Sequence, residues 1–430
     1  MLYNRIDDNI LLNIINILGK ENVCIEKEEL EDYSHDETED LKFYPEVVVK
    51  PINSKEISKL VKLCNKNNIP ITPRGAGTGL SGGALPVKGG ILLSVERMNK
   101  IIEIDERNLQ ATVEPGVINQ FFQDELKKKN LFYPPDPASK GSCFLGGNVA
   151  ENAGGPKALK YGVTKDYVLN LEIVLPNGDI IETGANVLKN ATGYNLTQLI
   201  VGSEGTLGII TKIVFKVISL PKHDVTILVP FDSIENACAA VSDVFVKGIM
   251  PCALEFMERD ALDLAIKYTK SNFDIADDIQ ANLLIELDGN NMDVIIQDCE
   301  KIYDIMAAYK CGDILFADSK RQKDVLWTLR RSVGEAVKFN SIYKEEDTVV
   351  PRAELPKLIS GVKSIGLKHG FKSICYGHAG DGNLHINIIK ESMSQDVWSK
   401  VLEEGIRDIF KLCVKLGGTI SGEHGIGYVQ

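Results

Sequence analysis

Two kinds of hydrophobic patterning divide the chain. In the first half, short apolar runs alternate with segments of helical period. Ile10, Leu11, Ile14, Ile15 and Leu18 recur at helical spacing and predict a packed first helix. Glu46-Val47-Val48-Val49 reads as a buried strand. Asn53 with Glu56 forms a capping-box pattern ahead of a helical face made by Ile57, Leu60, Val61 and Cys64, and Ile69-Pro70-Ile71 completes a β-α-β unit. Further strands are expected over residues 91–95, 101–104 and 109–113, with a helix over 117–128. A hairpin is expected over 171–183, turning on Asn177-Gly178, followed by a β-rich stretch over 206–218.

The second half reads differently. Strands over 225–229, 254–257, 281–287 and 313–317 are separated by helices over 234–247, 292–309 and 320–338. Strand, helix, strand, strand, helix, strand is the ferredoxin-like order. Residues 350–373 read as a helix and linker, and 394–416 as the last long helix. The change of pattern between Ser219 and Asp224 sets the expected boundary, with one domain over 1–219 and a second over 220–430. There is no internal repeat and no low-complexity segment.

Composition narrows the function classes. A chain of 430 residues with 44% hydrophobic and 25% charged residues has enough apolar material for two sizeable cores. The net charge of −12 argues against nonspecific binding to nucleic acid or to an anionic membrane. No apolar run approaches the roughly 18 residues of a membrane span, and Asp7 and Asp8 interrupt any secretory signal. The nine cysteines are odd in number and scattered, with no Cys-x-x-Cys, as suits a reducing cytoplasm.

Three glycine-rich segments carry the first chemical signal. Arg74 to Pro86 holds five glycines in thirteen residues. Such a loop lets backbone N–H groups converge on a phosphate. It fits neither the Rossmann fingerprint, because a strand follows it, nor the P-loop, because Gly-Lys-Ser/Thr is missing. Pro134 to Gly155 is rich in glycine without helical or strand period, as expected of backbone lying against a flat or charged ligand, and Gly202 to Gly208 is the third segment. Their spread suggests a long ligand touched along its length, such as a dinucleotide.

The second signal is Gly377-His378-Ala379-Gly380-Asp381-Gly382-Asn383-Leu384-His385 with Glu423-His424. Three of the six histidines fall in these two motifs. Asp381-Gly382 predicts a two-residue type I′ turn that sets His378 opposite His385, with Tyr376 and Asn387 on the same face. Two imidazoles and a carboxylate suit a divalent transition metal.

Taken together the chain resembles the FAD-linked D-2-hydroxyacid dehydrogenases, which include D-lactate dehydrogenases and the catalytic subunit of glycolate oxidase. The markers are Pro73-Arg-Gly-Ala-Gly-Thr-Gly-Leu-Ser-Gly-Gly, Pro134-Pro-Asp-Pro, Gly146-Gly-Asn-Val-Ala-Glu-Asn-Ala-Gly-Gly, Gly202-Ser-Glu-Gly-Thr-Leu-Gly-Ile-Ile, Glu346-Asp-Thr-Val-Val-Pro-Arg, the His378 motif and Ser421-Gly-Glu-His-Gly-Ile-Gly. The resemblance implies an α+β architecture: a two-part FAD-binding domain of the vanillyl-alcohol-oxidase type and a ferredoxin-like cap carrying the metal site, with its last segment returning towards the flavin. It implies non-covalent FAD, since no tethering histidine is matched.

By resemblance, Arg74, Gly75, Ala76, Gly77, Thr78, Gly79 and Ser81 hold the pyrophosphate. Asp136, Ser142, Gly146, Gly147, Asn148, Asn152 and Gly154 line the flavin and its ribityl chain, and Gly205 and Ile210 lie near the adenine. His378, His385 and Glu423 match ligands for zinc, iron or manganese, and His424 matches the base. Arg330 matches a contact to the substrate carboxylate, with Asn387 on the substrate side and Arg331 and Lys344 as lesser candidates. The implied reaction is oxidation of D-lactate to pyruvate, or of glycolate to glyoxylate. The implied electron acceptor is a separate protein, either an electron-transferring flavoprotein or an iron–sulfur partner subunit. The expected location is cytoplasmic, with attachment to a membrane through a partner as the alternative. Family members run on past the His424 motif, whereas this sequence stops at Gln430, six residues after His424.

Overall fold

The computed structural model describes residues 3–430. By its internal contacts the chain forms two units. One takes the chain up to Gly155, then Gly162–Leu220 and Glu423–Gln430; the other takes Pro156–Tyr161 and Pro221–Gly422.

In the first unit the N-terminal helix Asp8–Leu18 buries Ile10, Ile14 and Leu18, and Asp7 caps it by accepting from Ile10 N–H. The expected β-α-β unit forms. Val47–Val49 and Ile71–Arg74 both run parallel to Ile91–Ser94, which lies between them, and the helix Ser54–Asn67 provides the crossover. The Asn53 cap accepts from Glu56 N–H at 3.0 Å, while the Glu56 carboxylate reaches back to Ile52 N–H at 2.9 Å. A separate antiparallel sheet runs Ile101–Asp105, Gln110–Val113, Ile209–Lys216, Val168–Val174, Ile180–Glu182. Its last hairpin turns at Asn177-Gly178, where Gly178 takes φ +84°. Within the Pro134 to Gly155 stretch, where no periodic element was expected, residues Leu145–Glu151 form a short helix that ends at Asn152 in the left-handed region, φ 56°. Its glycines hid the period.

The second unit is built on one seven-stranded, wholly antiparallel sheet. Its order is Leu315–Ala317, His223–Phe231, Ala281–Gly289, Ala253–Glu258, Lys372–Gly377, Asn383–Ile389, Tyr343–Val349. The first four strands carry the ferredoxin-like order; the other three extend it. Both faces are covered, which is why its central strands read as continuous apolar runs. Ile227, Phe256, Ile285, Ile386 and Ile388 face a core shared with Ala237, Ile302, Leu358 and Ile409 of the helices Ile234–Val246, Met292–Ala308, Leu355–His369 and Gln395–Lys415. Leu228, Met257, Leu284 and Ile374 face the other way, against Leu262, Leu329 and Val333 of Arg259–Thr269, Lys320–Arg331 and Val333–Asn340. Each such Leu or Ile contributes about 1.5–3 kcal/mol on burial. The helix expected over 320–338 is broken in two at Ser332, and the helix Arg259–Thr269 and the strand Tyr343–Val349 are additions to the expected elements. Among the described residues no helix is long and apolar enough to cross a membrane.

Candidate active site

The expected ligand-binding residues fall into two groups, one in each unit. In the first unit the three glycine segments converge. A Cβ on Gly75 would lie 3.7 Å from Gly147 Cα, and one on Gly205 would lie 2.9 Å from the Pro73 ring. The third segment is tied to the helix Leu145–Glu151 by Gly202 N–H to Val149 O at 3.0 Å and Glu204 N–H to Ala150 O at 2.9 Å. Gly155 has φ +110°, and a side chain there would meet the Asp136 carbonyl at 2.6 Å, so only glycine admits this approach.

Arg74 is buried at the end of its strand, with its guanidinium carbon 5.8 Å from the Tyr33 ring centre. Burial pulls its pKa down against the pull of Asp36 and Tyr33. Arg74 Nη1, Ser81 Oγ and Asn148 Nδ2 are buried with no hydrogen-bond partner among the described residues. Three orphaned polar atoms along a glycine-walled cradle fit a long polar ligand, because an unmet buried donor costs about 1–3 kcal/mol. Gly79 and Gly147 also face open space. Ser142 is exposed and bonds the Ser139 carbonyl, Asn152 Oδ1 accepts from Lys165 N–H, and Ile210 is buried in its strand.

The segment with Glu423 and His424 belongs to this unit. Glu423 Oε1 accepts from Gly155 N–H at 3.1 Å. Glu204 accepts from Ile426 N–H at 2.9 Å and from Gly427 N–H at 2.6 Å, and Tyr428 N–H bonds Ser81 O at 2.7 Å. Burial, then Glu204, push the Glu151 carboxyl up to about 8, with His424 opposing and Asp36 adding to the rise.

In the second unit the histidine motif is not the two-residue hairpin expected. The strands pair Tyr376, not His378, with His385. Asp381 stays in a short 3-10 turn, Ala379–Asp381, and of the Asp381-Gly382 pair only Gly382 takes a positive φ, +85°. In this wider loop Ala379 enters the core and Gly382 O accepts from Val350 N–H at 3.0 Å. The two-residue shift preserves the face. His378 and His385 still meet edge to face, ring centres 5.6 Å apart, and both are buried.

Each imidazole has carboxylate behind it. Both Glu255 oxygens lie 2.9 Å from His378 Nδ1, and Glu345 Oε1 lies 3.2 Å from His385 Nδ1. Glu255 is fully buried on its strand, and Arg330 Nη2 stands 2.6 Å from its Oε2. Burial pushes the Glu255 carboxyl up, but His378 and Arg330 outweigh it and the net displacement is down. The Arg330 guanidinium rests over the Tyr376 ring at 5.2 Å; its Nε has no acceptor among the described residues, and its Nη2 meets Glu255 as an ion pair without a hydrogen bond of normal geometry. Burial and then Glu345 raise the Tyr376 phenol well above its ordinary range, against Arg330. Asn387 is fully buried beside that phenol, yet neither amide atom makes a hydrogen bond of normal geometry among the described residues.

Arg331 turns away, stacking on Trp327 at 5.2 Å, and Lys344 lies on the edge strand. One turn before Arg330, Trp327 Nε1 donates to Glu286 at 2.5 Å, and Glu286 also pairs with Lys157. Asp347 receives Asn383 Nδ2 at 2.6 Å and Gly422 N–H at 2.9 Å, which fixes the chain immediately before Glu423. Glu255, Glu286 and Glu345 escaped the sequence reading, and Asp347 appeared in it only within a family marker, with no role. An acidic residue inside a strand carries no signal of its own until a partner strand or helix supplies a cation.

Chemically, the second unit offers an imidazole pair backed by carboxylates, a guanidinium and an unpaired amide. This set suits a divalent metal and a small carboxylate, while the first unit offers an extended cradle. Comparison with known proteins matches two family descriptions to the chain. The family described as FAD linked oxidases, C-terminal domain, matches residues 220–430, and the FAD binding domain family matches residues 45–184. Glycolate oxidase subunit GlcD of Bacillus subtilis is 40% identical over 418 residues, covering 97% of this chain and 88% of that protein. D-lactate dehydrogenase of Anaerostipes hadrus is 37% identical over 432 residues, covering 99% and 90%. Among solved structures, alkyldihydroxyacetonephosphate synthase superposes with a TM-score of 0.79 at 21% identity, covering 97% of this chain and 82% of that one. The architecture is therefore the α+β flavin-binding fold of the vanillyl-alcohol-oxidase type.

Proposed function

The chain belongs to the FAD-linked oxidase family, and from that premise we propose that it oxidises a small D-2-hydroxy acid, D-lactate first, to the 2-oxo acid. The observation that carries this reading is the buried set on one sheet face, where His378, His385, Arg330 and Asn387 offer ligands for a metal and for a carboxylate within a few side chains of one another. Glycolate is the second reading, supported by the name of the Bacillus subtilis relative.

Arg74, Gly75, Ala76, Gly77, Thr78, Gly79 and Ser81, with Asp136, Gly146, Gly147, Asn148, Gly154 and Gly205, hold FAD without a covalent bond. Bound FAD supplies the acceptor for the α-hydride, and a divalent metal held by His378, His385 and, by the family motif, Glu423 supplies Lewis acidity. Arg330 grips the substrate carboxylate through the guanidinium edge that carries its unpartnered Nε. The Asn387 amide orients the substrate. His424 receives the hydroxyl proton on its imidazole, a group whose unperturbed pKa of about 6.5 suits proton transfer near neutrality. The electrons leave to a separate protein, either an electron-transferring flavoprotein or an iron–sulfur subunit. The Bacillus subtilis relative is itself named as a subunit, which supports a partner.

Anaerobic titration with D-lactate, L-lactate and glycolate, followed by flavin absorbance, tests the reading. D-lactate should bleach the flavin fastest; bleaching by none of the three removes the proposal. His424→Ala should keep FAD and metal but lose bleaching by at least 100-fold (about 10²–10⁴ for a general base).

A further inference from the structure

We propose that Glu255 is a positioning residue that aims two ligand-binding side chains at once. It holds His378 in the tautomer and orientation that present Nε2 to a divalent metal, and it clamps the Arg330 guanidinium. The proposal rests on the metal and carboxylate roles given above to His378 and Arg330, and it assigns a function to a carboxylate that neither role requires.

The geometry is specific. A carboxylate only accepts, and both Glu255 oxygens lie 2.9 Å from His378 Nδ1. Nδ1 must therefore carry a proton, and in the neutral ring, the form that can bind a metal, Nε2 carries the lone pair. A carboxylate behind a metal-bound imidazole fixes its ring and raises its basicity, and losing it typically weakens metal binding about 10–100-fold. The same carboxylate stands 2.6 Å from Arg330 Nη2, while the Tyr376 ring supports the guanidinium at 5.2 Å. Arg330 is thus held between an anion and an aromatic ring, with its Nε edge left for a ligand. Full burial makes Glu255 costly as an isolated charge, so its place on the strand depends on these two partners.

Glu286 provides the internal control. It is a second buried carboxylate on the same sheet face and holds the same helix, through Trp327, but its partners are Trp327, Lys157 and Cys252 and not His378 or Arg330. A purely structural role would make the two carboxylates behave alike.

The test is zinc affinity of the full-length FAD-loaded protein, measured by competition with a chromophoric chelator. Glu255→Gln should bind zinc about 10–100-fold more weakly, whereas Glu286→Gln should stay within about two-fold of wild type. His378→Ala should also lose affinity, and adding Glu255→Gln to it should cause no further loss, because the carboxylate acts through that ring. At saturating zinc, Glu255→Gln should still raise KM for D-lactate several-fold through Arg330. Imidazole ¹⁵N shifts should report one tautomer of His378 in wild type and a mixture in Glu255→Gln.

Wild-type zinc affinity in Glu255→Gln, with affinity lost in His378→Ala, overturns the proposal while leaving the metal site standing. Wild-type affinity in His378→Ala overturns the metal reading itself. An unchanged KM removes the Arg330 half. If Glu255→Gln does not fold, Glu255→Asp keeps the charge and withdraws it by one methylene. An intermediate loss of zinc affinity then supports the role and an unchanged affinity refutes it.

Discussion

A carboxyl buried beside other carboxylates keeps its proton, and Glu151 is such a group: burial first, then Glu204, raise it to about 8 from an ordinary 4.5. The sign follows from linkage. Between the unfolded and folded pKa values the native protein binds the extra proton, so stability is highest below about pH 5 as far as this group is concerned, and it declines as pH rises towards 8. The expected slope in FAD-free protein is on the order of 1 kcal/mol per pH unit across that window. Thermal melts from pH 5 to 8 should show it, and Glu151→Gln should flatten it; an unaltered slope in the variant assigns the dependence to other groups. Asn387 makes the opposite case, a polar group kept at a cost. It is fully buried and its amide is unmatched. Asn387→Leu should stabilise the substrate-free protein by about 1–3 kcal/mol and raise KM for the hydroxy acid. A variant that is less stable and binds substrate normally contradicts this account.

At the scale of elements, helix Lys320–Arg331 and the His378 loop carry the side chains to which the proposed chemistry is assigned. Trp327 and Arg330 are one turn apart, and the sheet meets each with a buried carboxylate, Glu286 and Glu255. The loop depends on Gly382, where φ is +85° and an added Cβ would strike the Val350 carbonyl oxygen. Gly382→Ala should therefore lower stability by about 2 kcal/mol or more. It should also weaken zinc binding, because His378 stands at one end of that loop; chemical denaturation and metal titration of the variant check both. The elements also mark how far the sequence can be read. The strands Val47–Val49 and Ile91–Ser94, the Asn177-Gly178 turn and the four ferredoxin-like strands were visible because each combines an apolar period with local punctuation. The helix Leu145–Glu151 was hidden by its glycines, and the strand Tyr343–Val349 by its Glu345-Glu346-Asp347 run, since local propensity is silent about the imidazole that makes buried acids tolerable.

At the scale of the molecule, the cradle belongs to the first unit and the histidine pair to the second; of the proposed metal ligands only Glu423 comes from the cradle's unit, and none of them is among the residues proposed to hold FAD. Dialysis against a chelator should remove the metal and abolish bleaching by D-lactate while leaving the FAD visible spectrum and stoichiometry unchanged; loss of flavin together with metal contradicts the assignment of the cradle to the first unit's residues alone. What the sequence by itself determined was the chemistry available: glycine segments that admit close backbone approach, two histidines at fixed spacing, and an apolar pattern sufficient for two cores. The face shared by those histidines survived even the mistaken register, because a shift of two residues preserves a period of two. Only the tertiary structure decided which charges accompany them. Glu255 reaches His378 and Arg330 from 123 and 75 positions away in sequence (378 − 255; 330 − 255). No local rule encodes such pairings, which arise because a buried carboxylate is stable only where the assembled fold brings cations and donors to it.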